Sequence, residues 1–408
     1  MKILLINKFH YLRGGAERAY FDTARILSEA GHEVAFFSMQ HPQNKPTEWE
    51  SYFIKNVDYH TQYSIQDRIC FTGKILWNFE AQRNLERLLE KFQPDIAHLH
   101  NIYHQISPSI IATLKKRNIP IVMTLHDYKL VCPNYSLFSR DHIWEGGNIQ
   151  CILDTCVQNS FSSSVVCSFE NFFHTLIGIY NKIDILLSPS KFLKEKFKER
   201  GFQKEITILS QPIKRDSVSF KYTYQKNASA LYAGRLSSEK GVDVLLRAMV
   251  SVEGLFLTIA GDGPERKNLE KLSVSLGVSD RVRFLGHLSE TALSEEMGLT
   301  TLVIIPSVWY ENMPYALVEA LGKGLIVIAS RIGGITERIV DGENGFLFEF
   351  GNVKDLAHVM KKVLKQKNLE NVSKKALQSV NDLEEKIYKD RLEEIYKKLL
   401  EKDAPYNN

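Results

Sequence analysis

The chain has 408 residues, of which 44% are hydrophobic and 25% charged, and its net charge is +4 at neutral pH. This length and ordinary globular composition predict two domains, and the charge is too small to indicate nucleic-acid binding by itself. The sequence has no apolar run long enough to predict a membrane span, and its first residues lack a signal-peptide cleavage site. We therefore expect a cytoplasmic protein.

Apolar strands alternate with amphipathic helices along nearly the whole chain. This pattern is typical of βαβ units, and it predicts an α/β fold with two doubly wound halves. In the first half the predicted strands are residues 3–6, 34–38, 95–100, 121–125 and 184–189. In the second half the predicted strands are residues 230–233, 255–260, 282–285, 302–306 and 325–329.

The remaining segments set the predicted domain boundaries. A helix over residues 15–30, capped by Gly31, joins the first two strands. Residues 127–171 read as an insertion with no long helical pattern before Glu170, and residues 383–401 read as a charged amphipathic helix. The predicted organisation is an N-terminal domain 1–210, a linker 211–228, a C-terminal domain 229–382 and a C-terminal helical segment 383–408.

Two glutamates follow a predicted strand of the second half. Glu311 and Glu319 have seven residues between them and come after the apolar segment 302–307. Small-molecule sites of parallel α/β sheets lie where strands give way to helices. Pro314 suits the first turn of a helix, which places Glu311 in the loop and Glu319 in the second turn. Carboxylates bind sugar hydroxyls and helix-start amides bind phosphate, so the segment predicts a site for a sugar joined to a phosphate.

Three glycine-containing turns follow other predicted strands. Gly14 and Gly15 lie at the start of the first helix. They either let the backbone approach a ligand closely or only form a tight turn between strand and helix. Arg235 and Lys240 bring two positive charges to a strand end, and guanidinium and ammonium groups both bind phosphate. Residues 261–264 lack the third glycine of a dinucleotide fingerprint and read mainly as a turn and helix start.

One histidine and four cysteines complete the candidate residues. His126 ends the strand 121–125, and it is either a hydrogen-bonded structural residue or a residue of the binding cleft. The cysteines suggest a structural zinc site, but their outer spacings are irregular, and reduced structural thiols remain the alternative. These cysteines are Cys132, Cys151, Cys156 and Cys167.

Taken in order, these motifs resemble family 4 of the retaining, nucleotide-sugar-dependent glycosyltransferases. The shared elements are the Gly-Gly loop, Gly-Arg-Leu with Glu-Lys-Gly, Gly-Asp-Gly-Pro and Glu-x7-Glu, and the resemblance covers nearly the whole chain. Each motif alone is weak, whereas the ordered set is specific. The family implies the GT-B fold, in which two Rossmann-like domains face each other across a cleft and the nucleoside-diphosphate sugar lies mainly on the C-terminal domain.

The resemblance also implies roles for individual residues. Arg235 and Lys240 would hold the diphosphate, Glu319 the ribose, and Glu311 the transferred sugar, while His126 would contact the sugar or stabilise charge near the reacting carbon. The implied catalytic residues are Glu311, His126, Arg235 and Lys240. The implied donor-binding residues are Gly14, Gly15, Gly234, Arg235, Lys240, His287, Leu288, Glu311, Asn312, Met313, Tyr315, Ala316 and Glu319. The last helix resembles the family's C-terminal helix, which crosses back to the N-terminal domain.

The chain departs from the family pattern between the two glutamates. Many relatives have glycine where this chain has Pro314, which removes one amide donor and leaves the identity of the sugar open. The implied reaction is a front-face transfer to a hydroxyl, with no metal required if Arg235 and Lys240 stabilise the leaving diphosphate. The glutamates should not act as a retaining glycosidase pair, because Glu319 is expected to bind the ribose.

The acceptor and several alternatives remain open at this point. The basic helix pattern 191–198 either packs on the sheet or touches anionic lipid, so peripheral contact with the cytoplasmic face of the membrane is one expectation. By analogy, the acceptor would be a glycan or lipid-linked glycan of surface polysaccharide biosynthesis. The alternatives are a sugar-nucleotide epimerase or phosphorylase, a non-catalytic GT-B protein, and a dinucleotide oxidoreductase, the last disfavoured because neither half opens with Gly-x-Gly-x-x-Gly.

Overall fold

A computed structural model describes residues 1–56, 73–214, 228–366 and 368–403. The chain forms two compact units. The first unit contains Met1–Ser136, Gly146–Pro212 and Glu385–Asn408. The second unit contains Ile213–Glu384 together with Leu137–Glu145. Most of the predicted linker, residues 215–227, lies outside the described residues.

Fourteen strands are described, twelve of which form two six-stranded sheets. The strands are β1 (Lys2–Ile6), β2 (Glu33–Phe37), β3 (Ile96–Leu99), β4 (Ile121–Thr124), β5 (Phe138–Ser139), β6 (His142–Ile143), β7 (Ile185–Ser188), β8 (Ile206–Ile208), β9 (Ala228–Ala233), β10 (Leu255–Ala260), β11 (Val282–Gly286), β12 (Leu302–Ile305), β13 (Ile326–Ser330) and β14 (Phe346–Phe348). All ten predicted strands are confirmed. The short edge strands β8 and β14 and the hairpin β5–β6 were not predicted.

The helices lie mostly between consecutive strands. They are α1 (Gly15–Glu29), α2 (Phe79–Phe92), α3 (Ser109–Lys116), α4 (Asn148–Leu153), α5 (Phe161–Leu176), α6 (Lys191–Glu199), α7 (Val242–Met249), α8 (Arg266–Ser275), α9 (Glu290–Gly298), α10 (Tyr315–Gly322), α11 (Val353–Lys365), α12 (Glu370–Gln378) and α13 (Glu385–Asp403). Among the described helices, none is both long and apolar enough to cross a membrane.

The sheet of the first unit has the order β2-β1-β3-β4-β7-β8, and all its pairs are parallel. Helix α1 begins after Gly14 and ends before Gly31, whose φ of +84° favours glycine, as predicted. Helix α6 buries Leu193 and Phe197, which accounts for two of the apolar residues in its basic pattern.

Helix α13 packs in the first unit. Its buried residues recur every three or four positions and join the cluster formed by strand β1 and helix α1, which fixes the helix by its apolar face. These residues are Tyr388, Leu392, Tyr396 and Leu399. The Tyr388 hydroxyl also lies 2.8 Å from Oγ1 of Thr23, and Arg25 forms an ion pair with Glu385.

The prediction that the insertion has no long helix before Glu170 is wrong. Helix α5 already begins at Phe161, and Oγ of the N-cap residue Ser160 accepts a hydrogen bond from the amide of Ser163. Serine favours caps over helix interiors, so the run of serines at 162–164 obscured the helical pattern.

The second unit is built around the sheet β11-β10-β9-β12-β13-β14, which is also parallel throughout. One face packs against α7 and α11 through a cluster that includes Leu245 and Met360. The other face packs against α10 and α12 through a cluster that includes Leu317 and Ala376. Because both faces are covered, the central strands are almost continuously apolar, as expected for buried parallel strands.

Candidate functional site

The carboxyl end of β12 carries a buried carboxylate with two hydrogen-bond donors. Oε1 of Glu311 lies 2.7 Å from Nζ of Lys240 and accepts a second hydrogen bond, also 2.7 Å, from the Ser307 hydroxyl. Glu311 is only 5% exposed, so this carboxylate is held in one position rather than solvated. The Lys240 ammonium also lies 4.8 Å from the centre of the Trp309 ring, a distance typical of a cation–π contact.

Burial and pairing act in opposite directions on Glu311. Burial raises the pKa of this carboxyl group, but the Lys240 charge and the hydrogen bonds from Lys240 and Ser307 outweigh it, so the net pKa is lowered. Glu311 is therefore ionised at neutral pH. The pair brings a carboxylate and an ammonium, an acceptor and a donor, to one point at the end of the sheet.

Glycines allow the loops on both sides of this pair to approach closely. At Gly241, where φ is +64°, an added Cβ would lie 2.1 Å from the Pro306 carbonyl oxygen. At Gly333, where φ is +59°, an added Cβ would lie 2.3 Å from the Glu311 carbonyl oxygen, which also accepts a hydrogen bond from Gly334. These glycines serve backbone packing that fixes Lys240 and Glu311, a role that the sequence reading did not assign.

The turns after β9 and β10 lie side by side. The amide of Gly234 donates to Ala260, and the amide of Leu236 donates to Asp262. An added Cβ at Gly261 would lie 1.8 Å from the Gly234 carbonyl oxygen, so this position requires glycine. The predicted role of residues 261–264 as a turn before a helix is confirmed, since α8 follows at Arg266.

Two further charged side chains lie on these turns. Arg235 is exposed, whereas its carbonyl oxygen is fixed by a 2.7 Å hydrogen bond from the Tyr232 hydroxyl. The Asp262 carboxylate accepts hydrogen bonds from the Gly263 amide and the Arg266 guanidinium, and His287, after β11, is exposed. The hydrogen bonds from Gly263 and Arg266 are the main reason that the pKa of Asp262 is lowered.

Helix α10 begins at Tyr315, one residue later than the predicted first-turn position of Pro314. Pro314 is its N-cap residue, with φ of −65°, and the Pro314 carbonyl oxygen accepts from the amides of Leu317 and Val318. Glu319 lies in the second turn and is partly buried. Its neighbours in the predicted set, Asn312, Met313, Tyr315 and Ala316, lie in the preceding loop and first turn, and Leu288 lies after β11.

In the first unit, His126 is half-buried and belongs to a row of histidines with the buried His98 and His100. Nε2 of His126 lies 2.8 Å from Nδ1 of His100, and the His100 ring stacks on both His126 and His98. His98 in turn bonds the hydroxyls of Thr124 and Tyr396. Burial is the main cause that lowers the pKa of both His98 and His126 to about 3, so these imidazoles are neutral at physiological pH.

The hydrogen bonds of this row assign a tautomer to His126. Nε2 of His100 has no hydrogen-bond partner among the described residues. A buried acceptor without a partner is tolerated better than a buried N–H without one, so the proton of His100 belongs on Nδ1 and is donated to His126. His126 then carries its own proton on Nδ1. His98 and His100 were missed because a histidine within an apolar strand gives no local signal of its partners.

Several ionisable side chains lie near the histidine row. The Tyr103 hydroxyl donates a 2.6 Å hydrogen bond to Asp127, whose pKa is raised by burial. Burial likewise raises the pKa of Glu17, in the first turn of α1, and lowers the pKa of Lys8. Gly14 and Gly15 are exposed at the start of the same helix. This unit thus gathers polar groups whose charged forms are disfavoured by burial.

The predicted four-cysteine zinc site is wrong. Cys151 and Cys156 form a disulfide, so their sulfurs are not available as thiolate ligands, while Cys132 and Cys167 are buried free thiols. The alternative of four reduced thiols is also wrong, because two of the four cysteines are oxidised to a disulfide. The sequence spacing indicated nearness of Cys151 and Cys156 but did not distinguish a shared metal from a covalent bond.

A second group of possible metal ligands, near Cys167, already contains a lysine that forms an ion pair with its carboxylate. His104, Cys167 and Glu170 have ligand atoms within 4.8 Å of one another. However, the Lys129 ammonium lies 2.7 Å from Oε2 of Glu170, and both residues are buried. Although burial opposes it, the Glu170 charge raises the net pKa of Lys129, so the ammonium already neutralises this cluster. These residues fit a buried ion pair better than a metal site.

Comparison with known proteins agrees with this architecture. Residues 13–216 match the family described as Glycosyltransferase Family 4, and residues 215–379 match Glycosyl transferases group 1. An uncharacterised 42.6 kDa protein in the cps region of Klebsiella pneumoniae is 27% identical over 83% of this chain and 87% of its own length. The lipopolysaccharide core biosynthesis glycosyltransferase LpsE of Rhizobium meliloti is 26% identical over 48% of this chain and 58% of its own length.

A solved structure agrees over the full length. Anabaena Alr3699/HepE, crystallised with UDP and glucose, matches with a TM-score of 0.69 and 16% identity, covering 98% of this chain and 100% of its own. At this identity the likeness shows the fold, which is GT-B. The two family matches establish that the chain belongs to glycosyltransferase family 4.

Proposed function

We propose that this glycosyltransferase moves a sugar, with retention of configuration, from a nucleoside-diphosphate sugar to a hydroxyl group of a glycan or lipid-linked glycan in surface polysaccharide biosynthesis. The observation that supports it most is the buried Lys240–Glu311 pair at the carboxyl end of β12. LpsE, the relative from Rhizobium meliloti, is named for lipopolysaccharide core biosynthesis, which supports a polysaccharide acceptor.

The second unit supplies groups suited to the donor. Lys240 and the exposed Arg235 are the cations proposed to bind the diphosphate, and Glu319 is proposed to accept hydrogen bonds from the ribose hydroxyls. Glu311 would accept a hydrogen bond from the transferred sugar while Lys240 keeps it ionised. UDP is the proposed nucleotide, because the structure of HepE contains UDP.

The proposed step is a front-face displacement. The bond between the anomeric carbon and the diphosphate oxygen breaks, and a bond from that carbon to the acceptor oxygen forms on the same face. The acceptor proton passes to an oxygen of the leaving diphosphate. Lys240 and Arg235 stabilise the negative charge that develops there, which is the electrostatic task a metal performs in other enzymes. Glu311 is proposed to bind the sugar rather than to attack it, with its Oε1 held by Lys240 and Ser307.

The proposal is tested by incubating the protein with UDP-, GDP- and ADP-sugars and a panel of glycan acceptors, with NMR of the product. We expect an α-linked product from an α-linked donor, unchanged by EDTA. Lys240→Met and Glu311→Gln should each reduce transfer at least about a hundredfold. The control Arg247→Met removes a half-exposed charge of α7 and should keep full activity.

Other products would identify another enzyme. A changed donor sugar without transfer would indicate an epimerase, and release of a sugar phosphate would indicate a phosphorylase. An inverted linkage would reject the retaining mechanism. Binding of UDP without any turnover on lipid-linked or soluble acceptors would favour the non-catalytic alternative.

A further inference from the structure

Helix α5 has an apolar stripe on its solvent side. We define the stripe as the residues exposed at intervals of four, four, three and four along this helix, which place them on one face. They are Phe161, Val165, Phe169, Phe172 and Leu176, with exposed fractions of 64%, 36%, 52%, 53% and 71%. Three phenylalanines on one solvent-facing stripe are unusual for a helix of a soluble fold.

The buried side of the same helix is polar. Its buried residues are Ser164, Cys167, Ser168, Glu170 and His174. Glu170 is held there by its ion pair with Lys129, so the helix cannot rotate its apolar stripe inward without breaking a buried charge pair. The usual amphipathic arrangement is reversed, and among the described residues the stripe faces solvent, so we look for a partner that covers it.

Helix α4 packs beside α5 and extends the apolar area. Ile149 and Leu153, one turn apart, are 77% and 70% exposed, and the disulfide from Cys151 ties their helix to Cys156. At roughly 200 Å² for a fully exposed large side chain, these residues and the stripe together leave about 850 Å² of apolar surface. That exceeds the largest patch of a typical monomer and equals about one side of a standard protein interface.

The charge of this surface favours a second copy of the chain over lipid. Between residues 148 and 178 the sequence contains no lysine or arginine, and its acidic residues are Asp154 and the buried Glu170. Helices that lie on membranes carry basic residues that bind anionic headgroups, and this surface has none. Two copies of an uncharged surface meet without charge repulsion.

We propose that α5 pairs with α5 of a second copy in an antiparallel, two-fold symmetric homodimer, with α4 at the edge of the interface. In such a pairing each stripe packs along the other at the spacing of adjacent helices. Because the two-fold axis passes through the middle of the stripe, Phe169 faces Phe169 of the partner copy. The interface is independent of the proposed reaction.

Opposite charges at Phe169 test this arrangement. Molar mass would be measured by light scattering and sedimentation at micromolar concentrations for the wild type, Phe169→Glu and Phe169→Lys. We expect a wild-type dimer, and for each variant alone a dissociation constant about a hundredfold higher, because like charges would meet across the axis. An equimolar mixture of the two variants should regain the dimer as a mixed pair.

The control is Val274→Glu, which places a charge on a single exposed apolar residue of α8 and should leave the dimer intact. Circular dichroism confirms that each variant is folded. A monomeric wild type overturns the proposal, and if it also floats with neutral phosphatidylcholine vesicles the stripe is a lipid-binding surface. Dimers that persist in both single variants, or a mixture that stays monomeric, overturn the α5 pairing.

Discussion

Replacing either member of the Lys240–Glu311 pair should destabilise the second unit, and replacing both should recover part of the lost stability without restoring activity. The two charges lie 2.7 Å apart, with side-chain exposures of 21% and 7%. Removing one partner of a buried pair costs about 3–5 kcal/mol, and the partial exposure of Lys240 lowers the expected cost of Lys240→Met to about 2–4 kcal/mol. Glu311→Gln should cost less, because the amide oxygen still accepts the Ser307 hydroxyl.

The double variant Lys240→Met/Glu311→Gln has neither buried charge. It should recover at least about 1–2 kcal/mol relative to the sum of the single losses, which is the coupling energy of a double-mutant cycle. Urea unfolding at pH 7 measures these free energies, and initial rates with saturating donor measure activity. The low pKa of Glu311 adds a second readout. Its contribution to stability is present above pH 4.5 and is lost as pH falls, so the Gln variant should show a weaker acid dependence.

Two results would refute this reasoning. If the losses of unfolding free energy in the two single variants simply add in the double variant, the interaction between Lys240 and Glu311 contributes nothing to stability. Full transfer activity in the restored double variant would mean that the charges serve folding alone, and the proposed donor site would then have to be abandoned.

Three further predictions concern the surrounding structure. Gly333→Ala should lower the free energy of unfolding in urea by several kcal/mol and reduce activity, because its Cβ would lie 2.3 Å from the Glu311 carbonyl oxygen. The control Gly342→Ala, also at positive φ but in open space, should cost about 1 kcal/mol. Equal costs would contradict the close packing at Gly333. His98 and His126, with pKa values of about 3 against an ordinary 6.5, contribute stability above pH 6.5 that is lost as pH falls, by about 2 kcal/mol each between pH 7 and 5. His126→Gln should remove about 2 kcal/mol of the loss between pH 7 and 5, and the control His142→Gln, at an exposed position, should leave the slope unchanged. An unchanged slope in His126→Gln would reject the neutral row. Lys129→Met should lower stability by about 3–5 kcal/mol, and Lys129→Met/Glu170→Gln should recover part of it; no recovery would show that Lys129 acts through packing alone.

The central architecture was predictable because local patterns determine it. Buried parallel strands are short apolar runs and their helices are amphipathic, so the ten main strands could be read one at a time. The edge strands β8 and β14, of three residues each, offer too few positions for a pattern. Helix α5 was missed because its buried side is polar and its exposed side apolar, the reverse of what the pattern assumes.

The sequence indicated which residues belong to the candidate site, but not which of them bond each other. Lys240 and Glu311 stood out because each follows a strand, and their spacing resembles a family motif. That they bond each other depends on β9 and β12 being neighbours in the sheet, which the sequence order does not reveal. The hydrogen bond between His98 and Tyr396 could not be predicted from local patterns either, because the two residues are 298 positions apart in the sequence.

Two groups of side chains, the Lys240–Glu311 pair in the second unit and the residues around His126 in the first, differ in charge, and under the proposed function this difference suits different ligands. In the second unit the Lys240 charge lowers the pKa of buried Glu311, so ionic groups persist and fit a charged donor. In the first unit burial pushes His126 and Asp127 toward their neutral forms. Neutral donors and acceptors hydrogen-bond hydroxyls without the desolvation cost of an unpaired charge. In the proposed reaction, the acceptor hydroxyls would therefore suit the neutral groups of the first unit, and the nucleoside diphosphate would suit the charged pair of the second.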